Sequence, residues 1–94
     1  MPGTLIDNVG RNRFELEVEG GTALIDYRRS GTTLYLDHAE VPAALGGRGL
    51  GTRLVRETLD VIRARGRGER VVPVCPFIRS FIERNPGYAD LCAP

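Results

Sequence analysis

A single strongly amphipathic helical segment, with strand-like sequence on both sides, sets the strictest limit on how this chain can fold. The segment runs from about Gly49 to Arg65, and its apolar residues recur on one helical face. Gly66 follows as a natural helix stop. The strand-like segments around it are Thr32–Val41 and Arg70–Cys75. Because strands joined by a helical crossover run parallel, the sequence predicts a parallel pair packed against this helix.

Alternation of apolar and charged residues nearer the N-terminus predicts two further strands. In Arg13–Glu19 a phenylalanine, a leucine and a valine alternate with glutamates, as in a strand with one buried face. A Gly-Gly turn follows, and Ala23–Arg28 returns as the next strand, so that with Thr32–Val41 the segments form an antiparallel meander. The predicted order is three strands, a helix, a parallel strand and a final helix from Pro76, which is a mixed α+β fold.

Length and composition limit the class of protein. The chain has 94 residues, 41% of them hydrophobic, which suits one domain over residues 1–94 with a modest core. A formal net charge of +1 gives no overall field to attract nucleic acid. No apolar run approaches the roughly 20 residues of a membrane span, and Met1–Asn8 does not resemble a secretory leader. We therefore expect a cytoplasmic protein with reduced thiols and no metal site, a monomer or weak homodimer.

The glycine-rich loop that leads into the helix is the strongest candidate for a binding site. It runs from Leu45 to Gly51, and glycines let a backbone approach a ligand closely. The first N–H groups of a helix converge there with the positive end of its dipole. Arg48 and Arg53 flank the helix start, and such cations oppose the dipole by roughly 0.3–1 kcal/mol each unless an anion is bound. A diphosphate fits this loop; a flexible connection with solvated arginines is the alternative.

Two familiar phosphate-binding patterns do not match this loop. The Walker pattern needs a lysine after its last glycine, where Thr52 stands. The dinucleotide pattern needs a third glycine at Thr52 or Leu54, and neither is glycine. Any phosphate ligand therefore belongs to a different class of binding loop.

The chain resembles the GNAT superfamily of N-acetyltransferases, and within it the short, single-domain members. The motifs that carry the resemblance are Gly47–Gly51 with its helix, His38–Pro42 before it, and Val74–Pro76 and Asn85–Tyr88 after it. It covers roughly residues 31 to 91. The resemblance implies an acetyl-CoA-dependent enzyme that acetylates an amine acceptor. It also implies that the strands before and after the helix splay apart around the pantetheine arm of the cofactor.

The resemblance implies, too, which residues hold acetyl-CoA. Main-chain N–H groups at the helix start would bind the diphosphate, and the preceding strand would pair with the pantetheine arm. The superfamily usually has Gln or Arg where Gly46 stands, so Arg48 is the candidate replacement. Pro73 cannot donate a ladder hydrogen bond, which indicates either the splay or an ordinary edge strand. The candidate cofactor-binding residues are Val41, Gly46, Gly47, Arg48, Gly49, Leu50, Gly51, Thr52, Arg53 and Asn85.

Three residues are candidates for the chemistry. Cys75 precedes Pro76 at a predicted helix start, where a thiolate is stabilised, so it is a candidate nucleophile or acyl carrier. A small buried core residue is the alternative. His38 and Glu40 share one face of a strand, which makes His38 a candidate general base that Glu40 orients or replaces. Their alternative is a hydrogen-bonded pair on the sheet surface.

Two other functions stay open on the sequence. One is a non-catalytic acyl-CoA-binding module with a degenerate active site. The chain is short for the superfamily and leaves little room for an acceptor site, so an enzyme of this size would need a partner or a second subunit to bind its acceptor. The other is a protein-interaction domain without a cofactor. Tyr88 is a further candidate, either as the acid that protonates a leaving thiolate or as a ring that packs on the core.

Overall fold

The protein folds as a five-stranded sheet with two α-helices, in a computed structural model that describes residues 3–94. Short 3-10 helices lie in the connections and near the C-terminus, at Val9–Arg11, Ala43–Leu45 and Pro86–Leu91. The strands and α-helices are β1 Gly3–Asn8, β2 Arg13–Val18, β3 Gly21–Ser30, β4 Thr33–Glu40, α1 Leu50–Ala64, β5 Arg70–Pro73 and α2 Pro76–Arg84.

The strands lie in the order of the sequence, β1-β2-β3-β4-β5, and only β4 and β5 run parallel. The predicted α+β class, antiparallel meander and parallel crossover are therefore confirmed. The predicted element order was incomplete, because it lacked β1, which pairs with β2 along its whole length. This strand lies at the sheet edge, and Leu5 and Ile6 are adjacent in it rather than alternating, so it has no clear period of two.

Both helices pack on the same face of the sheet, and their buried side chains form one cluster with it. A fully buried leucine or phenylalanine stabilises such a core by roughly 1.5–3 kcal/mol. The opposite face carries half-buried Leu24 and Tyr35 between charged side chains. Neither helix within residues 3–94 has the length and apolarity to cross a bilayer. The largest fully buried side chains are Phe14, Leu16, Ile25, Leu34, Leu36, Leu54, Leu59, Ile62, Ile78 and Phe81.

A bulge in β4 decides which of its residues face the helices. Tyr27 of β3 pairs with Leu36 and the preceding Asp26 pairs with His38, so Asp37 is an extra residue on β4. Leu36 is buried before the bulge, whereas Ala39 packs against the core after it. The bulge therefore leaves His38 exposed on the face of the sheet away from the helices.

A cluster of charged side chains around the buried Glu69 joins β1 and β3 to the end of α1. Glu69 accepts two hydrogen bonds from Arg65, at 2.6 and 3.0 Å, and pairs with Arg29 at 2.8 Å. Arg65 also donates to Asp7 at 3.0 Å, and the Tyr27 hydroxyl donates to the same carboxylate at 2.7 Å. Three chain segments that are distant in sequence are thereby held together at one end of the sheet.

The phenol of Tyr27 predicts a change in stability at high pH. Burial and the hydrogen bond to Asp7 raise the pKa of Tyr27 to about 12, above the value of about 10 in an unfolded chain. A raised pKa contributes stability that is complete below pH 10 or so and is lost as pH rises towards 12. Measured by urea unfolding, the free energy of unfolding of Tyr27→Phe should therefore fall less than that of wild type across this pH window. Tyr35→Phe, which removes the hydroxyl of a half-buried tyrosine, is the control. Equal losses of stability in all three proteins would refute the prediction.

Candidate active site

The loop between β4 and α1 is exposed and turns on two glycines with left-handed backbone. Gly47 has φ 77° and Gly49 has φ 70°. These values lie in the left-handed region of backbone conformation, which is unfavourable for residues that carry a Cβ atom. A Cβ at either position would meet no atom within 4 Å, so the requirement for glycine is conformational rather than steric. Gly49 is the N-cap residue of α1. Its backbone conformation therefore sets the orientation of the N–H groups in the first turn of the helix.

The first turn of α1 offers main-chain N–H groups that no side chain caps. The first intrahelical bond runs from the Arg53 N–H to the Gly49 carbonyl at 3.0 Å. The N–H groups of Leu50, Gly51 and Thr52 therefore precede the helical ladder. No acidic residue lies in this turn, so the helix dipole there is not compensated from within the turn. The turn is chemically suited to an anion.

The two arginines beside the loop have different surroundings. Arg48 is exposed within the loop itself, next to the N-cap glycine. Arg53 is partly buried, and it donates to the Glu57 carboxylate and to the Gly3 carbonyl oxygen, the latter at 3.3 Å. Arg48 therefore has the greater freedom to reach a ligand at the helix start.

β4 and β5 separate beside this loop. Their pairing runs from Thr33 with Arg70 to Leu36 with Pro73, where β5 ends short of the predicted Cys75. Within residues 3–94 no strand pairs with the rest of β4 on this side, so its main chain forms an open edge next to the start of α1. The separation falls at Pro73, which has no N–H to continue the ladder.

Cys75 lies where the two strands separate. Its N–H donates to the Leu36 carbonyl at 3.0 Å, and its own carbonyl accepts from the Arg79 N–H at 3.0 Å. It is the N-cap residue of α2, its thiol is free, and it is 7% exposed. The predicted location at a helix start is therefore correct, and the thiol is mostly covered by the core.

His38 and Glu40 lie side by side on the open sheet face, on the part of β4 that β5 leaves unpaired. Both side chains are exposed. Their cross-strand neighbours are Asp26 for His38 and Leu24 for Glu40. Asp26 also pairs with Arg13 at 3.1 Å. The structure thus places an imidazole and a carboxylate on the same face of β4, away from the helices and next to the separation of β4 from β5.

Asn85 and Tyr88 lie at the other end of α2 from Cys75. The Asn85 side-chain amide donates to the Phe81 carbonyl at 2.8 Å and so caps the C-terminus of this helix. The Tyr88 hydroxyl donates to Asp60 of α1 at 2.8 Å. That hydrogen bond, with some burial, raises the pKa of Tyr88. Both side chains therefore have structural partners outside the loop and the gap.

The environment of one residue beside the loop differs from what its spacing in the sequence predicts. Its helical spacing places Phe77 with Ile78 and Phe81 on the apolar face of the last helix, yet Phe77 is 42% exposed while the other two are fully buried. The ring lies against the first turn of α1, where a Cβ on Gly51 would be 3.1 Å from its Cζ atom. The same Cβ would be 3.6 Å from Val41. The only feature of the sequence that could have indicated this position is that an aromatic residue directly follows the proline at the start of the helix.

Comparison with known proteins decides the family. The family model described as GCN5-related N-acetyl-transferase matches residues 13–91. The chain belongs to this family. The NMR solution structure of a GCN5-like protein from Staphylococcus aureus is similar over 96% of this chain and 87% of that one, with 25% identity and a TM-score of 0.69. No curated protein matches the sequence. Family membership and fold thus agree with the arrangement of loop, helix and separated strands.

Proposed function

We propose that the protein transfers an acetyl group from acetyl-CoA to an amine. The observation that carries the proposal is the meeting of two features at one place. The uncapped N–H groups of Leu50–Thr52 adjoin the unpaired edge of β4, since Val41 at the end of that edge would lie 3.6 Å from a Cβ on Gly51. An extended ligand with a diphosphate at one end can use both, because the helix start binds the phosphates and the strand edge pairs with amide groups of the arm.

In this proposal acetyl-CoA lies along β4 with its diphosphate on the glycine loop. The backbone of Gly46 to Thr52 and the side chain of Arg48 surround the diphosphate. Val41 begins the strand edge that the pantetheine arm follows. The arm then points away from the loop and towards Leu36, where the strands close. Cys75 donates its N–H to that residue, so the thioester end of the cofactor comes closest to the Cys75 thiol.

Two chemical routes fit this arrangement. In one, the Cys75 thiolate attacks the thioester carbonyl, CoA leaves as a thiolate that takes up a proton, and the amine then attacks S-acetyl-Cys75 and restores the thiol. In the other, the amine attacks acetyl-CoA directly. Either route needs a neutral amine. His38 and Glu40, exposed at the open sheet face, are the candidate acceptors for its proton.

An acetyl-labelling experiment tests the function and separates the two routes. The wild-type protein is incubated with acetyl-CoA labelled in its acetyl group, and CoA release and the label on each cysteine are measured by mass spectrometry. The covalent route predicts a label on Cys75 that Cys75→Ala abolishes and that Cys92→Ala, the matched control at the other free thiol, retains.

The remaining outcomes are equally distinct. Unchanged amine acetylation by Cys75→Ala would establish direct transfer. CoA at one hundred times its dissociation constant should stabilise the protein by about 2.7 kcal/mol, visible as a rise in the melting temperature. Stabilisation by CoA without any transfer would favour a non-catalytic acyl-CoA-binding module. The absence of both would refute the proposed function.

A further inference from the structure

The first turns of α1 and α2 meet at the ring of Phe77. Two of its ring carbons, Cζ and Cε2, would lie 3.1 and 3.4 Å from a Cβ on Gly51, and a Val41 methyl lies on the same spot at 3.6 Å. Gly51 carries one of the free N–H groups of α1, and Val41 directly follows β4. The ring therefore reaches from α2 to the helix start at Gly51, and Val41 at the end of the strand edge adjoins the same glycine.

This contact joins α1 to α2 beside Val41, at the loop end of the space between β4 and α2. The other end is already closed, because the Cys75 N–H donates to Leu36 where β4 and β5 stop pairing. Between these two closures lies the unpaired part of β4, Asp37–Glu40. On the route proposed above, a cofactor arm that runs from the glycine loop to Cys75 passes the position that the Phe77 ring occupies.

We propose that Phe77 gates the access of the pantetheine arm to its strand edge, and that its ring leaves Gly51 when CoA binds. This inference rests on the proposed function. Dispersion contact with Gly51 holds the ring at this spot, and Phe77 is 42% exposed. Such contacts are individually weak, and exposed side chains change rotamer within nanoseconds. The closed ring lowers the fraction of molecules that can receive the arm, and apparent affinity falls by that fraction.

The rate of CoA association measures this gate directly. Stopped-flow fluorescence with the ethenoadenine derivative of CoA gives the association rate constant of wild type, Phe77→Ala and Phe77→Leu. If the ring is open in about a tenth of the molecules, Phe77→Ala raises that constant about tenfold and Phe77→Leu raises it less. Val74→Ala is the matched control, because Val74 is 39% exposed on the other side of Cys75. It should leave the constant unchanged.

The opposite results are equally clear. An association rate constant that is unchanged or lower in Phe77→Ala, with wild-type binding intact, overturns the gate and makes the ring part of the binding wall. A rise of equal size in Val74→Ala overturns it as well, because the effect would not be specific to the ring. If neither wild type nor any variant binds the CoA derivative, the proposed function and this inference fall together. Circular dichroism of each variant establishes that it is folded, and Phe77→Leu serves if the alanine variant is not.

Discussion

Replacement of Glu69 by alanine is expected to lower the free energy of unfolding by about 3 kcal/mol, which is a large share of the stability of a small domain. The Glu69 side chain is 1% exposed and pairs with Arg65 and Arg29. Arg65 is itself only 14% exposed, so the substitution leaves a largely buried guanidinium with Asp7 as its remaining carboxylate. For a domain of this size, such a loss should lower the melting temperature by roughly 15 °C.

Acid titration gives this prediction a second readout. Burial alone raises the pKa of Glu69, but the hydrogen bonds from Arg65 and Arg29 outweigh it and the pKa is lowered. A lowered pKa contributes stability above the unfolded value of about 4.3, and that contribution is lost as pH falls through the folded value. Wild type should therefore lose stability more steeply than Glu69→Ala below about pH 4.3.

The control for this substitution is Glu83→Ala, which removes an exposed carboxylate from α2. Exposed substitutions usually change stability by less than about 0.5 kcal/mol. Chemical denaturation of the three proteins at neutral pH provides the comparison. If Glu69→Ala and Glu83→Ala were equally stable, the charged cluster would contribute nothing to holding β1 and β3 against the end of α1.

Replacement of Gly49 by alanine is expected to weaken CoA binding roughly 30-fold, which corresponds to the loss of about 2 kcal/mol from one charge-assisted hydrogen bond. Gly49 has φ 70° and directly precedes the free N–H groups of α1. An alanine favours a different backbone there, and any shift turns those groups away from a common point. Left-handed backbone also costs an alanine roughly 1–2 kcal/mol of stability.

Gly31→Ala is a closely matched control for this effect. Gly31 has φ 60°, and like Gly49 it has no atom within 4 Å of an added Cβ. It lies in the turn before β4, at the opposite end of that strand from the glycine loop. Both variants should lose similar stability, and isothermal titration with CoA should detect weakened binding in Gly49→Ala alone. Equal CoA affinities in the two variants would mean that the loop backbone does not bind the diphosphate.

The fold was predictable wherever one face of a segment is buried and the other is not. The alternation in Arg13–Glu19 and the helical spacing after Gly49 both reflect one-sided packing, and both elements are where the sequence places them. β1 was missed because an edge strand with adjacent Leu5 and Ile6 carries no such alternation. Periodicity reports burial, and a strand that is weakly buried gives a weak signal.

The candidate site was predictable in its backbone and less so in its side chains. The glycine loop, the helix start and the separation at Pro73 follow from backbone chemistry that single residues determine. The position of Phe77 does not, because it depends on how the first turns of two helices approach each other. Asn85 matched a family motif, yet its amide caps α2 away from the loop. Such tertiary contacts lie outside what spacing along one chain can report.

The most direct test of the account is a CoA titration of the ¹⁵N-labelled wild-type protein, followed by NMR. We predict that the largest amide shifts occur at Leu50, Gly51 and Thr52, with a second group along Asp37–Glu40, and that the turn at Gly31 does not move. Shifts confined to other parts of the chain, or no shifts at millimolar CoA, would contradict the assignment of this helix start and strand edge as the acetyl-CoA site.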